Sequence, residues 1–239
     1  MVGDIVLAFD LYGTLLSTES IAQQLASHFP EKAHSISSLW RRYQLEYTWR
    51  LTSMGVYESF STITRNALRH ALAEHGETLD DDAISALMEA YDNLSTFPDV
   101  KPTLTKLASN PRITPVVFSN GTQNMVSNSV HSSPDLSPHA SVFSDIISIQ
   151  SVRQFKPAPA TYFHLAEKVG KASRLEDIWL VSGNPFDIVG ARSVGLNAVW
   201  VDRAGKGWMD AAVPRLRPTA VVRSLDEVLD VVEHHPQPL

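Results

Sequence analysis

The stretch Ile5-Val6-Leu7-Ala8-Phe9-Asp10-Leu11-Tyr12-Gly13-Thr14 sets the frame for the whole chain. Its first five residues are apolar, mostly bulky, and followed within a few positions by a glycine, which predicts a short buried strand. Asp10 then falls at the carboxyl end of that strand, the edge at which open α/β sheets bind their ligands. Gly13 permits a tight turn, N–H groups exposed in such a turn can hold an anion, and Thr14 adds a hydroxyl. A carboxylate therefore stands beside anion-holding donors. Taken alone, Asp-x-x-Gly-Thr is equally a capping aspartate before an ordinary turn, and its meaning depends on what the other strand ends carry.

Working outward, five further apolar runs read as strands: Ile113 to Phe118, Asp145 to Ile149, Ile178 to Val181, Asn197 to Val201 and Ala220 to Val222. Helical patterns separate most of them. Strand–helix alternation implies right-handed crossovers, and so a doubly wound parallel α/β sheet. The stretch between Ser17 and Asp92 has no strand signal. It reads as helices with Ile21, Leu25 and Phe29 on one face, then Ser38 to Trp49, Val56 to His75, and Ala83 to Tyr91 after the capping run Asp80-Asp81-Asp82. Phe97-Pro98-Asp99-Val100-Lys101-Pro102 reads as a hinge-like return. The division expected is a core of residues 1–16 and 97–239 with a helical cap of residues 17–96. Residues 132–141 read as a flexible surface loop.

The chain's 239 residues, 44% hydrophobic, suffice for a sizeable core. Twenty Lys and Arg against 26 Asp and Glu give a net charge of −6, without the basic stripe that would draw nucleic acid or an anionic membrane. The absence of cysteine excludes disulfides, thiolate catalysis, and zinc–thiolate and iron–sulfur sites. The nine histidines show no metal-ligand spacing such as HExxH. With no secretory signal and no apolar run of membrane-spanning length, the expectation is a cytoplasmic protein that binds neither nucleic acid nor membrane.

Three more strand ends align with Asp10: Ser119-Asn120, Lys156, and Ser182 with Asn184 and Asp187. Each has a plain structural reading by itself. Lys156 before Pro157 suits a surface lysine, Ser182 and Asn184 suit helix caps, Asp187 suits the first turn of a helix, and Arg41 suits a solvated helix face. Their common placement at strand carboxyl ends instead brings an aspartate, a lysine, hydroxyl and amide donors and a second aspartate to one crevice.

On these residues the chain resembles the haloacid dehalogenase superfamily, and within it the L-2-haloacid dehalogenases of type II. The matching stretches are Ala8 to Leu15, Leu39-Trp40-Arg41, Gln44 to Trp49, Ser119-Asn120-Gly121, Lys156-Pro157 with Tyr162, and Val181-Ser182-x-Asn184-x-x-Asp187. Those in the helical stretch are the more specific. The resemblance implies that Asp10 displaces halide from C2 of a short (S)-2-haloacid with inversion, that water then attacks the Asp10 ester, and that an (R)-2-hydroxy acid leaves. It places Thr14 and backbone N–H groups on the carboxylate or oxyanion, Ser119 on the substrate carboxylate, and Asn120 and Arg41 near the halide. Lys156 faces Asp10, Asn184 and Asp187 position the lysine and the water, and Ser182 counts among the catalytic residues. Tyr12, Leu45, Phe60 and Phe186 are implied as pocket walls, and Tyr162 as a support or water-positioning residue. Phe186 and Gly183 depart from the Trp and Ser common in relatives.

The superfamily's phosphatases carry a second aspartate two residues after the nucleophile. Tyr12 occupies that position, and a phenol titrating near ~10 cannot do its acid–base work. With few anionic oxygens at hand for a hard cation, the expectation is an enzyme without metal or other cofactor. The resemblance also implies a homodimer. A phosphatase of the same superfamily, a hydrolase of a non-halogenated acid and a small-acid binder without turnover remain as alternative functions.

Overall fold

The structure, a computed structural model, describes residues 5–235. In chain order the elements are β1 (Ile5–Phe9), α1 (Ala22–Leu25), α2 (Ala33–Met54), α3 (Phe60–Glu74), α4 (Asp81–Tyr91), α5 (Val100–Leu107), β2 (Ile113–Ser119), α6 (Gln123–His131), β3 (Asp145–Ser148), α7 (Pro159–Lys168), β4 (Ile178–Ser182), α8 (Pro185–Ser193), β5 (Asn197–Val201), β6 (Ala220–Val222) and α9 (Val228–His234), with short 3-10 turns between several of them.

Among the described residues six strands, all parallel, lie in the order β3-β2-β1-β4-β5-β6. The chain builds outward from β1 on one side, returns to the centre, and builds outward on the other. The direction in which strands are added therefore reverses between β1 and β4, and the crevice of a doubly wound sheet opens at that point beyond the strand ends. Phe9 pairs with Val181 in register, and the Asp10 N–H donates to the Val181 carbonyl at 3.0 Å, so the residues after β1 and β4 emerge side by side. Val6 to Phe9 and Ile178 to Ser182 are all buried, as central strands covered on both faces require.

The helices from α1 to α4 form between β1 and β2. Ser59 and Asp80 cap α3 and α4, accepting from the Thr62 N–H at 3.1 Å and the Ala83 N–H at 2.8 Å. The outgoing and returning passes of the chain run together: Leu16 bridges Thr96, Ser17 N–H donates to Ser95 O at 2.8 Å, and Phe97 N–H to Leu15 O at 3.2 Å. On α2 the buried positions include Ile36, Trp40, Gln44 and Thr48, one stripe at four-residue spacing.

Several boundaries differ from the sequence reading. Helix α2 is longer than Ser38 to Trp49 at both ends, and α3 begins only at Phe60 because Ser59 supplies the cap. Helix α5 begins at Val100 and takes Pro102 into its first turn, where a proline removes no helical hydrogen bond. The segment 132–141 is not a loose surface loop: Ser133 and Leu136 are buried, Ser133 Oγ bonds Ser129 O and Leu136 N, and a 3-10 turn spans Ser137–Val142. Trp49, near the carboxyl end of α2, is 41% exposed.

Candidate active site

Asp10 leaves β1 with 6% of its surface exposed. Gly13, at φ +87°, turns the following loop back, and Thr14 thereby reaches the carboxylate: its Oγ1 donates to Asp10 Oδ2 at 2.8 Å. From the end of β4, Asn184 Nδ2 donates to the same oxygen at 2.7 Å, and Ser182 Oγ stands 3.5 Å from it. Oδ2 is thus occupied by neutral donors, whereas Oδ1 faces a cation, Lys156 Nζ, at 3.2 Å.

Lys156 is the most constrained group of the site. Its side chain is 1% exposed. Nζ donates to Asp10 Oδ1, to Asp187 Oδ2 at 2.9 Å and to the Phe118 carbonyl at 2.8 Å. An ammonium has three hydrogens, and all three are used. The Phe118 ring adds its face, its centroid 4.0 Å from Nζ. So held, the Lys156 side chain is fixed in place against the Asp10 carboxylate. Asp187, fully buried, is pinned on its other oxygen by Tyr162 Oη at 2.7 Å. Burial raises the Asp187 pKa above its ordinary value, with Lys156 opposing, and burial together with Asp187 raises the Tyr162 phenol well above its own.

The third side of the crevice comes from the helical insertion. Arg41, on α2, donates from Nη2 to Tyr12 O at 3.1 Å and to Asn184 Oδ1 at 3.4 Å, and from Nη1 to Gln44 Oε1 at 2.6 Å. Gln44 is fully buried. Its Oε1 also accepts from Tyr91 Oη at 3.1 Å, and its Nε2 donates to Thr64 Oγ1 at 2.7 Å. Thr64 Oγ1 donates in turn to Phe60 O at 2.7 Å, and Trp40 Nε1 donates to Thr64 O at 2.7 Å. A closed polar network inside the helical unit therefore aims Arg41 at the loops after β1 and β4.

Of the residues singled out in the sequence, Asp10, Thr14, Arg41, Lys156, Tyr162, Ser182, Asn184 and Asp187 form this one connected set. Ser119 and Asn120 close its floor. Ser119 Oγ accepts from Gly121 N–H at 3.1 Å, and Asn120 Oδ1 accepts from the Lys156 N–H at 3.0 Å. Tyr12 is buried and stacks on Phe60, the ring centroids 5.7 Å apart. Burial raises its pKa well above 10, so at neutral pH it stays a phenol. Leu45 and Phe186 are only half-buried. Phe186 meets Trp49 edge-on at 5.3 Å, and both border an apolar groove with Phe155 and Pro157.

Gly183, flagged only as a departure from relatives, takes a definite place. Its N–H donates to Thr14 Oγ1 at 2.9 Å. A β-carbon there would stand 2.5 Å from the Gly13 carbonyl oxygen, so this closeness of the two loops requires glycine. Gln44, Thr64 and Tyr91 were missed as functional residues. For Gln44 the available signal was a polar side chain on the buried stripe of Ile36 and Trp40, where it must find partners. Among the described residues no group of three His, Cys, Asp or Glu side chains could hold a metal ion.

Comparison with known proteins places the chain in a family. Residues 6–195 match the family model described as haloacid dehalogenase-like hydrolase. The chain is 35% identical over 227 residues to (S)-2-haloacid dehalogenase H-109 of Pseudomonas putida, covering 94% of this chain and 96% of that one. It is 36% identical to (S)-2-haloacid dehalogenase 2 of Pseudomonas sp. (strain CBS-3), covering 92% of each. Among solved structures, L-2-haloacid dehalogenase from Xanthobacter autotrophicus with chloropropionic acid covalently bound superposes with a TM-score of 0.86 at 27% identity, over 99% of this chain and 100% of that one.

Proposed function

Because the chain belongs to the haloacid dehalogenase-like hydrolases, we propose that its crevice carries out hydrolytic dehalogenation of short (S)-2-haloacids, with Asp10 as the nucleophile. The activity is that of the (S)-2-haloacid dehalogenases it matches over most of its length. The observation that carries the residue roles is the asymmetric Asp10 carboxylate: one oxygen held by Thr14 and Asn184, the other beside the buried ammonium of Lys156.

In the first step an Asp10 oxygen attacks C2 from the face opposite the halogen. The new O–C2 bond forms as the C2–halogen bond breaks, halide departs with the bonding pair, and C2 inverts. Arg41 and Asn120 receive the halide, and Ser119 holds the substrate carboxylate. Ser119 suits that task because its Oγ accepts from Gly121 N–H and its own hydrogen has no acceptor among the described residues. In the second step water attacks Cγ of Asp10. Thr14, Ser182 and Asn184 steady the oxygen that becomes negative; the Cγ–O bond to the substrate then breaks, one proton of the water passes to the departing alkoxide to give the (R)-2-hydroxy acid, the other leaves to solvent, and Asp10 is restored as a carboxylate. Asp187 and Tyr162 hold Lys156 against the carboxylate throughout. Tyr12, Leu45, Phe60 and Phe186 wall the alkyl group.

Two features favour this over phosphoryl transfer. Position 12, where the superfamily's phosphatases place their acid–base carboxylate, is a buried tyrosine held protonated. The cation beside Asp10 is a lysine with all three hydrogens committed. We therefore assign a reaction independent of metal. Residues 17–96 act as the cap that delivers Arg41, and the protein works as a cytoplasmic homodimer. Among the described residues no helix is long and apolar enough to cross a membrane.

Chloride release from (S)- and (R)-2-chloropropionate, with and without EDTA, tests the assignment. Release from the (S) isomer alone, unaffected by EDTA and abolished in Asp10→Asn, is expected. Release from neither isomer would sink the substrate class.

A further inference from the structure

Arg203 lies outside the mechanism above, yet it grips the loop that the mechanism depends on. It stands two residues beyond β5, its side chain 22% exposed. Its guanidinium forks onto Asp99, Nε to Oδ2 and Nη2 to Oδ1, both at 2.9 Å. Nη2 also donates to the Thr14 carbonyl at 2.8 Å. The guanidinium carbon lies 3.9 Å from the Phe97 ring centroid, and Asp99 Oδ2 accepts a further bond from the Leu225 N–H at 3.0 Å. Three segments distant in sequence therefore meet on one cation: the loop after Asp10, the returning pass of the chain from the helical insertion, and the loop after β5.

We infer that Arg203 is a positioning residue for Asp10, acting through Thr14; this rests on the reading of Asp10 as the nucleophile. Thr14 touches the carboxylate from a loop that turns on Gly13, a residue with no side chain to anchor it. The Thr14 hydroxyl has two fixed partners, Asp10 Oδ2 and Gly183 N–H, and Arg203 fixes the other end of the same residue at its carbonyl. With the carbonyl released, Thr14 can turn, and the carboxylate loses the neutral donor that presents Oδ1 and Oδ2 unequally. The guanidinium meets the Asp99 carboxylate through a planar fork of two nitrogens while one of them also bonds the Thr14 carbonyl, and the single nitrogen of a lysine does not reproduce that spread. Phe97 N–H also bonds Leu15 O at 3.2 Å, so the clamp ties the nucleophile loop to the pass that leads back from the unit bearing Arg41.

The test is Arg203→Lys, with Asp99→Asn as the second variant, under single-turnover conditions with enzyme in excess over (S)-2-chloropropionate and chloride measured by rapid quench. Arg203→Lys retains the charge and is expected to fold. Its chloride-forming step should slow roughly 10- to 100-fold, as a small misplacement of reacting groups does, with kcat falling and KM little changed. Asp99→Asn should slow the same step less. The double variant should be no slower than Arg203→Lys alone, because both substitutions break one unit. Wild-type chloride formation in Arg203→Lys, whatever its melting temperature, overturns the inference. If that variant does not fold, wild-type chloride formation in Asp99→Asn overturns it instead. If the wild-type protein itself releases no chloride, the reading of Asp10 has failed and the role of Arg203 falls with it.

Discussion

Replacing Gln44 with leucine removes one polar side chain that does two separable jobs. The residue is fully buried, and leucine fills nearly the same volume, so packing loss is small. Three partners are affected: Tyr91 Oη, Thr64 Oγ1 and Arg41 Nη1. Thr64 Oγ1 keeps its bond to Phe60 O. Tyr91 is buried and loses its acceptor, at a cost of about 1–3 kcal/mol. For a chain of this length each kcal/mol lowers the melting temperature by about 2–4 °C, so the midpoint should fall by roughly 2–12 °C. Arg41 is only partly buried and water can satisfy Nη1, so its loss shows in catalysis. A hydrogen bond to a charged group contributes about 1.5–3 kcal/mol, the upper bound on the aim it gives Arg41. At 1.36 kcal/mol per decade this is roughly a 10- to 150-fold drop in kcat/KM for (S)-2-chloropropionate. Steady-state chloride release and a thermal melt on the same preparation separate the two effects. A lowered midpoint with unchanged kcat/KM would refute the claim that the network aims Arg41.

Asp187→Asn keeps the shape of the site but removes one of the two carboxylates on Lys156; kcat should fall at least roughly 10-fold, the loss of a charge-assisted bond, and a folded variant with wild-type kcat would refute its role. Burial raises the Asp187 pKa, so protonation on acidification sets in above the ordinary carboxylate range. The acid limb of the kcat profile should therefore lie above the ordinary aspartate value and move in Tyr162→Phe, which removes the bond to Asp187 Oδ1; an acid limb at the ordinary value in both proteins would contradict this. Leu7→Ala, in the central strand at 0% exposure, should cost about 2–5 kcal/mol by denaturant melts while leaving kcat of the folded fraction unchanged.

The strand-end residues were legible because their chemistry and their position coincide. Asp10, Ser119 and Ser182 each follow or end an apolar run, and parallel pairing in register brings such ends to one edge. The Arg41 arm was legible only through its resemblance to relatives, since an arginine on a helix says nothing about which loop it reaches. What could not be read was whatever depends on backbone acceptors or on distant segments meeting. The Phe118 carbonyl that takes the third hydrogen of Lys156 has no sequence signature, and Asp99 and Arg203 are far apart along the chain. The helix boundaries shifted for local reasons that a closer reading could have caught: Ser59 is a capping residue, and Pro102 is compatible with a first turn.

The buried charges also explain why this chemistry needs the whole fold. Two carboxylates and one ammonium, nearly free of solvent, carry a large desolvation cost unless each remaining lone pair and hydrogen is met. Thr14 and Asn184 meet Asp10, Tyr162 meets Asp187, and the Phe118 carbonyl meets Lys156. These partners come from β2, from α7 and from the loops after β1 and β4, so no single element contains a stable half of the site. Removing the positive centre should therefore be worse than removing either carboxylate. Lys156→Met leaves Asp10 and Asp187 facing each other with no cation between them, at a cost of about 3–5 kcal/mol for a broken buried pair. Lys156→Met combined with Asp187→Leu removes the second charge as well and should recover much of that stability without recovering chloride release. Denaturant melts of the two variants decide the point, since a double variant no more stable than Lys156→Met would mean that the buried charges are not what set its stability.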